Sequence, residues 1–163
     1  MKLIIFLVSL FLANNGLAQM EVKMFFNHSC PCSHRLMADI VKSIEKHKKD
    51  ISVEFYNVAP TDEKGLQFLN ERWKLPNKLK VDADKSYAKS LGIVATPEMI
   101  ISNKGKRIYK GPIIQENYED FSKNKDMLDL VVTNVVAGKA DFPAELQVEG
   151  CPLDENNLIF PEE

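Results

Sequence analysis

Glu21-Val22-Lys23-Met24-Phe25-Phe26-Asn27-His28-Ser29-Cys30-Pro31-Cys32-Ser33-His34 runs from an alternating, then continuous, apolar segment into two cysteines bracketed by histidines. The first half has the pattern of a strand that enters a core. It ends at Asn27. From Pro31 onward, Leu36, Ile40, Val41 and Ile44 recur at helical spacing as far as Lys48. Proline suits a first helical position, because its missing N–H would be unpaired there anyway. Cys30 therefore stands where a strand gives way to a helix, facing unpaired amides and the positive end of the helix dipole. A thiolate is stabilised in such a place.

Working outward, Ile51 to Val58 alternates as a second strand, and Asp62 to Trp73 carries Leu66, Leu69 and Trp73 at helical spacing. A short helical stretch through Tyr87 and Leu91 closes at Gly92, where a left-handed cap is expected. Glu98 to Ser102 then reads as a strand, Asn103-Lys104-Gly105-Lys106 as a tight turn, and Arg107 to Lys110 as an antiparallel partner. A last helix, from about Lys125 to Ala137, leads through Gly138 into a proline-containing tail with Cys151. Strands alternating with helices, followed by a hairpin and a final helix, imply an α/β protein. The expected layout is a thioredoxin-like three-layer α/β/α fold around a central mixed sheet.

The N-terminus carries Lys2, an apolar run from Leu3 to Leu12, and Gly16-Leu17-Ala18 at its end, the pattern of a secretory signal peptide occupying residues 1–18. Ten apolar residues are too few to span a bilayer, which takes about twenty. Gln19, not a cysteine, would be the new first residue, so a lipid anchor is not expected. The remaining residues suffice for one domain, 19–140, followed by a tail at 141–163. No later apolar stretch suggests a membrane span after signal cleavage. With 21 basic and 23 acidic residues mixed along the chain, nothing favours nucleic acid or an anionic membrane as a partner. The expected location is outside the cytoplasm: the periplasm if the source is a Gram-negative bacterium, otherwise the secreted fraction.

Cys30, Cys32 and Cys151 survive such processing. Disulfides persist outside the cytoplasm, yet three thiols cannot all pair within one chain, so at least one is free, metal-bound or exchanging. Cys32 has two readings. It is either the resolving thiol of an oxidoreductase, or one of two soft ligands, with Cys30 and a histidine from His28 and His34, for Cu(I). Side chains two apart on a helix point to opposite sides, so a Cys30–Cys32 disulfide needs non-helical geometry at Pro31. Zinc is disfavoured by a spacing shorter than structural zinc sites use. His28, His34 and Arg35 can further favour the Cys30 thiolate if they face it, although a solvated surface position is an equal expectation for each histidine.

Phe25-Phe26-x-x-x-Cys30-Pro31, Val81-Asp82-Ala83-Asp84, Leu91-Gly92-Ile93, Ala95-Thr96-Pro97-Glu98 and Gly105 to Ile113, with Ala137-Gly138-Lys139 before Gly150-Cys151, resemble the redoxin branch of the thioredoxin superfamily. This is the group of alkyl hydroperoxide reductases and thiol-specific antioxidant proteins. The resemblance spans most of the chain after the signal segment. It implies that Cys30 is the reactive thiol, that Pro97 is a cis proline beside it, and that Cys151 is a second redox partner. Two departures shape the expected activity. Cys30-Pro31-Cys32 replaces the Cys-x-x-Cys of thioredoxins, and Asn27 stands where a typical peroxidatic cysteine has a threonine three residues before it. The activity expected is thus thiol–disulfide exchange rather than peroxide reduction, with protein or small-molecule disulfide substrates, a thiol reductant and no cofactor. The alternative is copper delivery, with Cu(I) as cargo.

Overall fold

The computed structural model describes residues 20–154. The expected signal peptide, 1–18, lies outside the described residues, as does the end of the tail, 155–163.

Strand β1, Met20–Phe26, buries alternate residues along its first half and every residue at its end. Helix α1, Pro31–His47, starts with proline in its first turn and turns Leu36, Met37, Ile40 and Ile44 inward. Lys46 and His47 in its last turn complement the negative end of the dipole. Strand β2, Ile51–Asn57, runs parallel to β1. Helix α2, Glu63–Trp73, is capped by the Asp62 carboxylate, which accepts from the Gly65 N–H at 2.7 Å. Strand β3, Leu79–Val81, pairs in parallel with β2, and helix α3 spans Ser86–Ser90. Strand β4, Ala95–Thr96, precedes a cis peptide bond at Thr96–Pro97. Strands β5, Glu98–Asn103, and β6, Lys106–Pro112, form the expected hairpin. Its turn has φ of 52° at Lys104 and 75° at Gly105, the two positive angles that a two-residue turn matched to the strand twist requires.

Strands β7, Ile114–Gln115, and β8, Lys125–Asp126, pair antiparallel. Helix α4, Met127–Val136, follows directly. It begins two residues later than its periodicity suggested, because Lys125 and Asp126 are extended against β7 and the Asp126 side chain caps the helix, accepting from the Asp129 N–H at 2.9 Å. Strand β9, Cys151–Pro152, lies in the tail.

The main sheet has the order β3-β2-β1-β5-β6. The period of two in β1 sends Val22, Met24 and Phe26 to one face and Phe25 to the other. The first face packs beneath α1, α2 and α4 through Ile40, Leu69, Trp73, Leu128 and Val131. The second face is covered by α3 and the tail, where Leu153 joins Phe25, Tyr56, Val58, Ala88, Ile93 and Ile100. The third layer is thus built partly from the C-terminal tail.

Candidate functional site

Cys30 is the residue immediately before α1. Its φ of −88° and ψ of 119° are extended, and it makes no side-chain cap bond. Its carbonyl accepts from the Ser33 N–H at 3.1 Å, which closes the first turn. The sulfur is buried, with the residue 1 % exposed, and it is bonded to Cys151 across 121 residues of chain, with the two Cα atoms 6.1 Å apart. The pairing leaves Cys32 as the free cysteine, half-buried on the first turn of α1.

The tail reaches Cys30 by pairing with the strand that ends at the cis proline. Thr96 lies opposite Cys151 and Ala95 opposite Pro152, antiparallel. The Leu153 N–H donates to the Val94 carbonyl at 2.8 Å, and Lys85 Nζ donates to the Leu153 carbonyl at 2.6 Å. Lys89 pairs with Asp154 at 2.9 Å. Gly150 is required by this approach. A Cβ there would sit 2.4 Å from the Thr96 carbonyl oxygen and 3.0 Å from its carbon, inside any tolerable contact with backbone. Leu153, 4 % exposed, is the apolar anchor. Burying a leucine side chain contributes about 1.5–3 kcal/mol. Cys30 Sγ lies 3.7 Å from the Thr96 carbonyl oxygen, so Cys30, the Thr96–Pro97 bond and Cys151 form one cluster.

A buried ion pair holds the proline loop in place. Glu98 is fully buried, and one of its carboxylate oxygens accepts from the Val94 N–H at 3.1 Å and from the Ala95 N–H at 3.5 Å. Lys110 Nζ is 3.1 Å from the other oxygen and 3.1 Å from Glu145 Oε1. Burial by itself pushes the Lys110 ammonium down, but Glu98 and Glu145 outweigh it and hold the group above its ordinary range. The Tyr109 hydroxyl is also pushed up, by burial and then by the Glu98 charge. The Lys110 backbone takes part too, donating to the Ala144 carbonyl and accepting from the Leu146 N–H, both at 3.0 Å, so the tail and the proline loop share one support.

His28 and His34 are half-buried, each hydrogen-bonded within the protein, and neither joins the sulfur cluster. His34 Nε2 is 2.6 Å from the His28 carbonyl oxygen, and His34 Nδ1 accepts from the Trp73 indole N–H at 3.1 Å. A proton on Nε2 and a lone pair on Nδ1 satisfy both partners, and the ring ties α1 to α2 and to the loop before Cys30. His28 Nδ1 faces the side-chain amide of the fully buried Asn57, at 3.1 Å from Nδ2 and 3.3 Å from Oδ1. Arg35 does turn toward the cysteines: its Nη2 lies 3.9 Å from Cys32 Sγ and 2.8 Å from the Glu116 carboxylate. Asn57, Glu98, Lys110, Glu116 and Gly150 all contribute to the site; Glu98, Lys110 and Gly150 fall within the motifs that carry the resemblance but without an assigned role, and Asn57 and Glu116 fall in none of them.

No family model matches the chain, and no curated protein matches it. Solved structures do. An uncharacterized conserved protein from Geobacillus kaustophilus superposes with a TM-score of 0.71 at 16 % identity, over 84 % of this chain and 77 % of that one. A thioredoxin-like protein in its oxidized form gives 0.58 at 15 % identity, over 74 % and 80 %. The thioredoxin domain of a thiol-disulfide oxidoreductase from Bacteroides vulgatus gives 0.55 at 16 % identity, over 76 % and 84 %. The fold is thioredoxin-like. That agrees with the resemblance carried by the sequence motifs; in this chain Cys30 lies where β1 gives way to α1, and the cis proline lies between β4 and β5. Among the described residues, no helix is long and apolar enough to cross a membrane.

Proposed function

We propose that this chain is an exported thiol–disulfide oxidoreductase whose redox couple is Cys30 and Cys151. The observation that carries the reading is the bond between a buried cysteine at a helix N-terminus and a cysteine presented to it by a strand on the cis-proline edge. The bacterial oxidoreductase domain of similar fold supports it, and the N-terminal segment supports export.

In the reduced protein, the helix start favours a Cys30 thiolate. That thiolate attacks one sulfur of a substrate disulfide. The substrate bond breaks, one substrate thiolate leaves and takes a proton from water, and Cys30 is left in a mixed disulfide. The Cys151 thiolate then attacks the Cys30 sulfur, the second substrate thiolate departs, and the Cys30–Cys151 bond forms. Two electrons have passed to the substrate. An external dithiol returns the couple to its reduced state and is itself oxidised. In the oxidised protein Cys151 is the more exposed partner and Cys30 is buried, so the dithiol attacks Cys151 and expels Cys30 as the leaving thiolate, whereas Cys30 meets substrate in the reduced protein, whose tail is no longer tied to it.

Single-cysteine variants test the assignment. With a peptide disulfide as substrate, Cys151→Ser accumulates a covalent adduct on Cys30, while Cys32→Ser turns over without one. Trapping by Cys32→Ser instead would make Cys32 the resolving thiol and refute the assignment.

A further inference from the structure

Three sulfurs meet at the start of α1, although the disulfide uses two. The Sγ atoms of Cys30, Cys32 and Cys151 all lie within 4.8 Å of one another. Three thiolates that share one ion at about 2.3 Å from each sulfur stand about 4.0 Å apart. Once the Cys30–Cys151 bond is opened, those two sulfurs must part from 2.03 Å to about 4.0 Å, while Cys32 Sγ, already within 4.8 Å of both, must close by less than about 1 Å.

The surroundings select the ion. Among the described residues, no histidine nitrogen or carboxylate oxygen joins the cluster. His34 uses both ring nitrogens elsewhere, His28 Nδ1 faces Asn57, and the Glu116 carboxylate is taken by Arg35. Structural zinc takes four ligands in a tetrahedron, and no fourth donor is at hand. An all-sulfur set of three suits a soft monovalent ion, Cu(I). Such a centre carries a net charge of minus two, and two features oppose it: the positive end of α1 and the Arg35 guanidinium 3.9 Å from Cys32 Sγ.

We propose that the dithiol-reduced protein binds one Cu(I) ion through Cys30, Cys32 and Cys151, so that disulfide formation and metal binding exclude each other. A dithiol reduces the Cys30–Cys151 bond to two thiols and becomes a cyclic disulfide. Three protons then leave the three thiols as the ion enters, and copper does not change oxidation state. Cys151 holds the place that sequence spacing had offered to a histidine. Copper occupancy blocks both redox thiols, so the ion is an inhibitor of exchange or a cargo protected from oxidation until the site releases it. The site goes beyond the oxidoreductase reading and does not depend on turnover.

The test uses the protein reduced with dithiothreitol, desalted without air, and titrated with Cu(I) against bathocuproine disulfonate. One ion per chain is expected, with X-ray absorption showing three sulfur scatterers at about 2.2–2.3 Å. Cys32→Ser and Cys151→Ser should each weaken binding by more than about 100-fold, beyond the 10–100-fold that outer-sphere partners contribute. His28→Ala should leave the affinity within about twofold of wild type, since it supplies no ligand. The air-oxidised protein should bind no copper. Cys32→Ser retains the Cys30–Cys151 bond, so formation of that bond shows that the variant is folded. A two-sulfur centre indifferent to Cys151→Ser overturns the proposal, as does an affinity that His28→Ala abolishes or a reduced protein that never competes with the chelator. Loss of reductase activity together with intact copper binding would count only against the oxidoreductase reading.

Discussion

Replacing Gly150 by alanine isolates the strand pairing that brings Cys151 to Cys30. The added Cβ would lie 2.4 Å from the Thr96 carbonyl oxygen, against about 3.4 Å for ordinary contact, so the tail must retreat by about 1 Å. The atoms it meets belong to backbone beside a cis proline that is held by Glu98, and they cannot step aside as a flexible side chain would. The Cα atoms of Cys30 and Cys151 are 6.1 Å apart. A retreat of that size carries them past the upper limit of about 6.8 Å that a disulfide spans without backbone movement. Overpacking of this kind costs about 1–3 kcal/mol. The cost falls mainly on the oxidised state, because the reduced tail is held only by noncovalent contacts and can lift away. At about 30 mV per 1.4 kcal/mol for a two-electron couple, the reduction potential of the pair should rise by about 20–65 mV. Equilibration in dithiothreitol redox buffers, followed by alkylation and mass spectrometry of the Cys30 and Cys151 peptides, measures it directly. A potential within about 10 mV of wild type would refute the claim that close approach at Thr96 governs the bond.

Lys110→Met leaves Glu98 buried without its partner and should lower the unfolding free energy by about 3–5 kcal/mol in urea titrations, with most of the loss recovered by adding Glu98→Gln. A loss below about 1 kcal/mol would mean that the pair is not the support described. Asp126→Asn keeps a capping acceptor for the Asp129 N–H but removes a carboxylate that burial holds above its ordinary 3.8. A raised folded-state value means that wild type gains stability as pH falls through it and loses that contribution as pH rises. The variant should therefore be the more stable at pH 7, with the advantage gone once the pH is below 3.8, as thermal melts across that range would show. His34→Phe removes an acceptor from the Trp73 indole and a partner from the His28 carbonyl, and should cost about 1–3 kcal/mol in stability while the Cys30–Cys151 bond still forms.

Long periodic elements were legible because their burial has a period. The apolar residues of α1, the alternation in β1 and β2, and the β5–β6 hairpin all express one buried face, and together they identify the layer order. Strand β3, with three residues, and strands β4, β7, β8 and β9, with two each, are too short for alternation to register. They exist because a neighbouring edge offers hydrogen bonds, which is a tertiary fact. In the site, Cys30 was readable from its place between strand and helix, and the cis proline from motif resemblance. The choice of Cys151 over Cys32 as partner was open, since it depends on a tail that returns across 121 residues to the proline edge. For His34 and His28 a solvated position and a place facing the thiol stayed equally open, because their partners, Trp73 and Asn57, come from α2 and the end of β2. No local window contains both members of either pair.

The central claim is that Cys30 is the attacking thiol and Cys151 the thiol that completes the exchange. Rapid mixing of the reduced protein with excess peptide disulfide, acid quenching at intervals and peptide mapping by mass spectrometry tests it most directly. The account predicts that a Cys30–peptide adduct forms first and gives way to the Cys30–Cys151 bond as the second peptide thiol appears, with Cys32 open to alkylation throughout. A first adduct on Cys32 or Cys151, or a final Cys30–Cys32 bond, would contradict it.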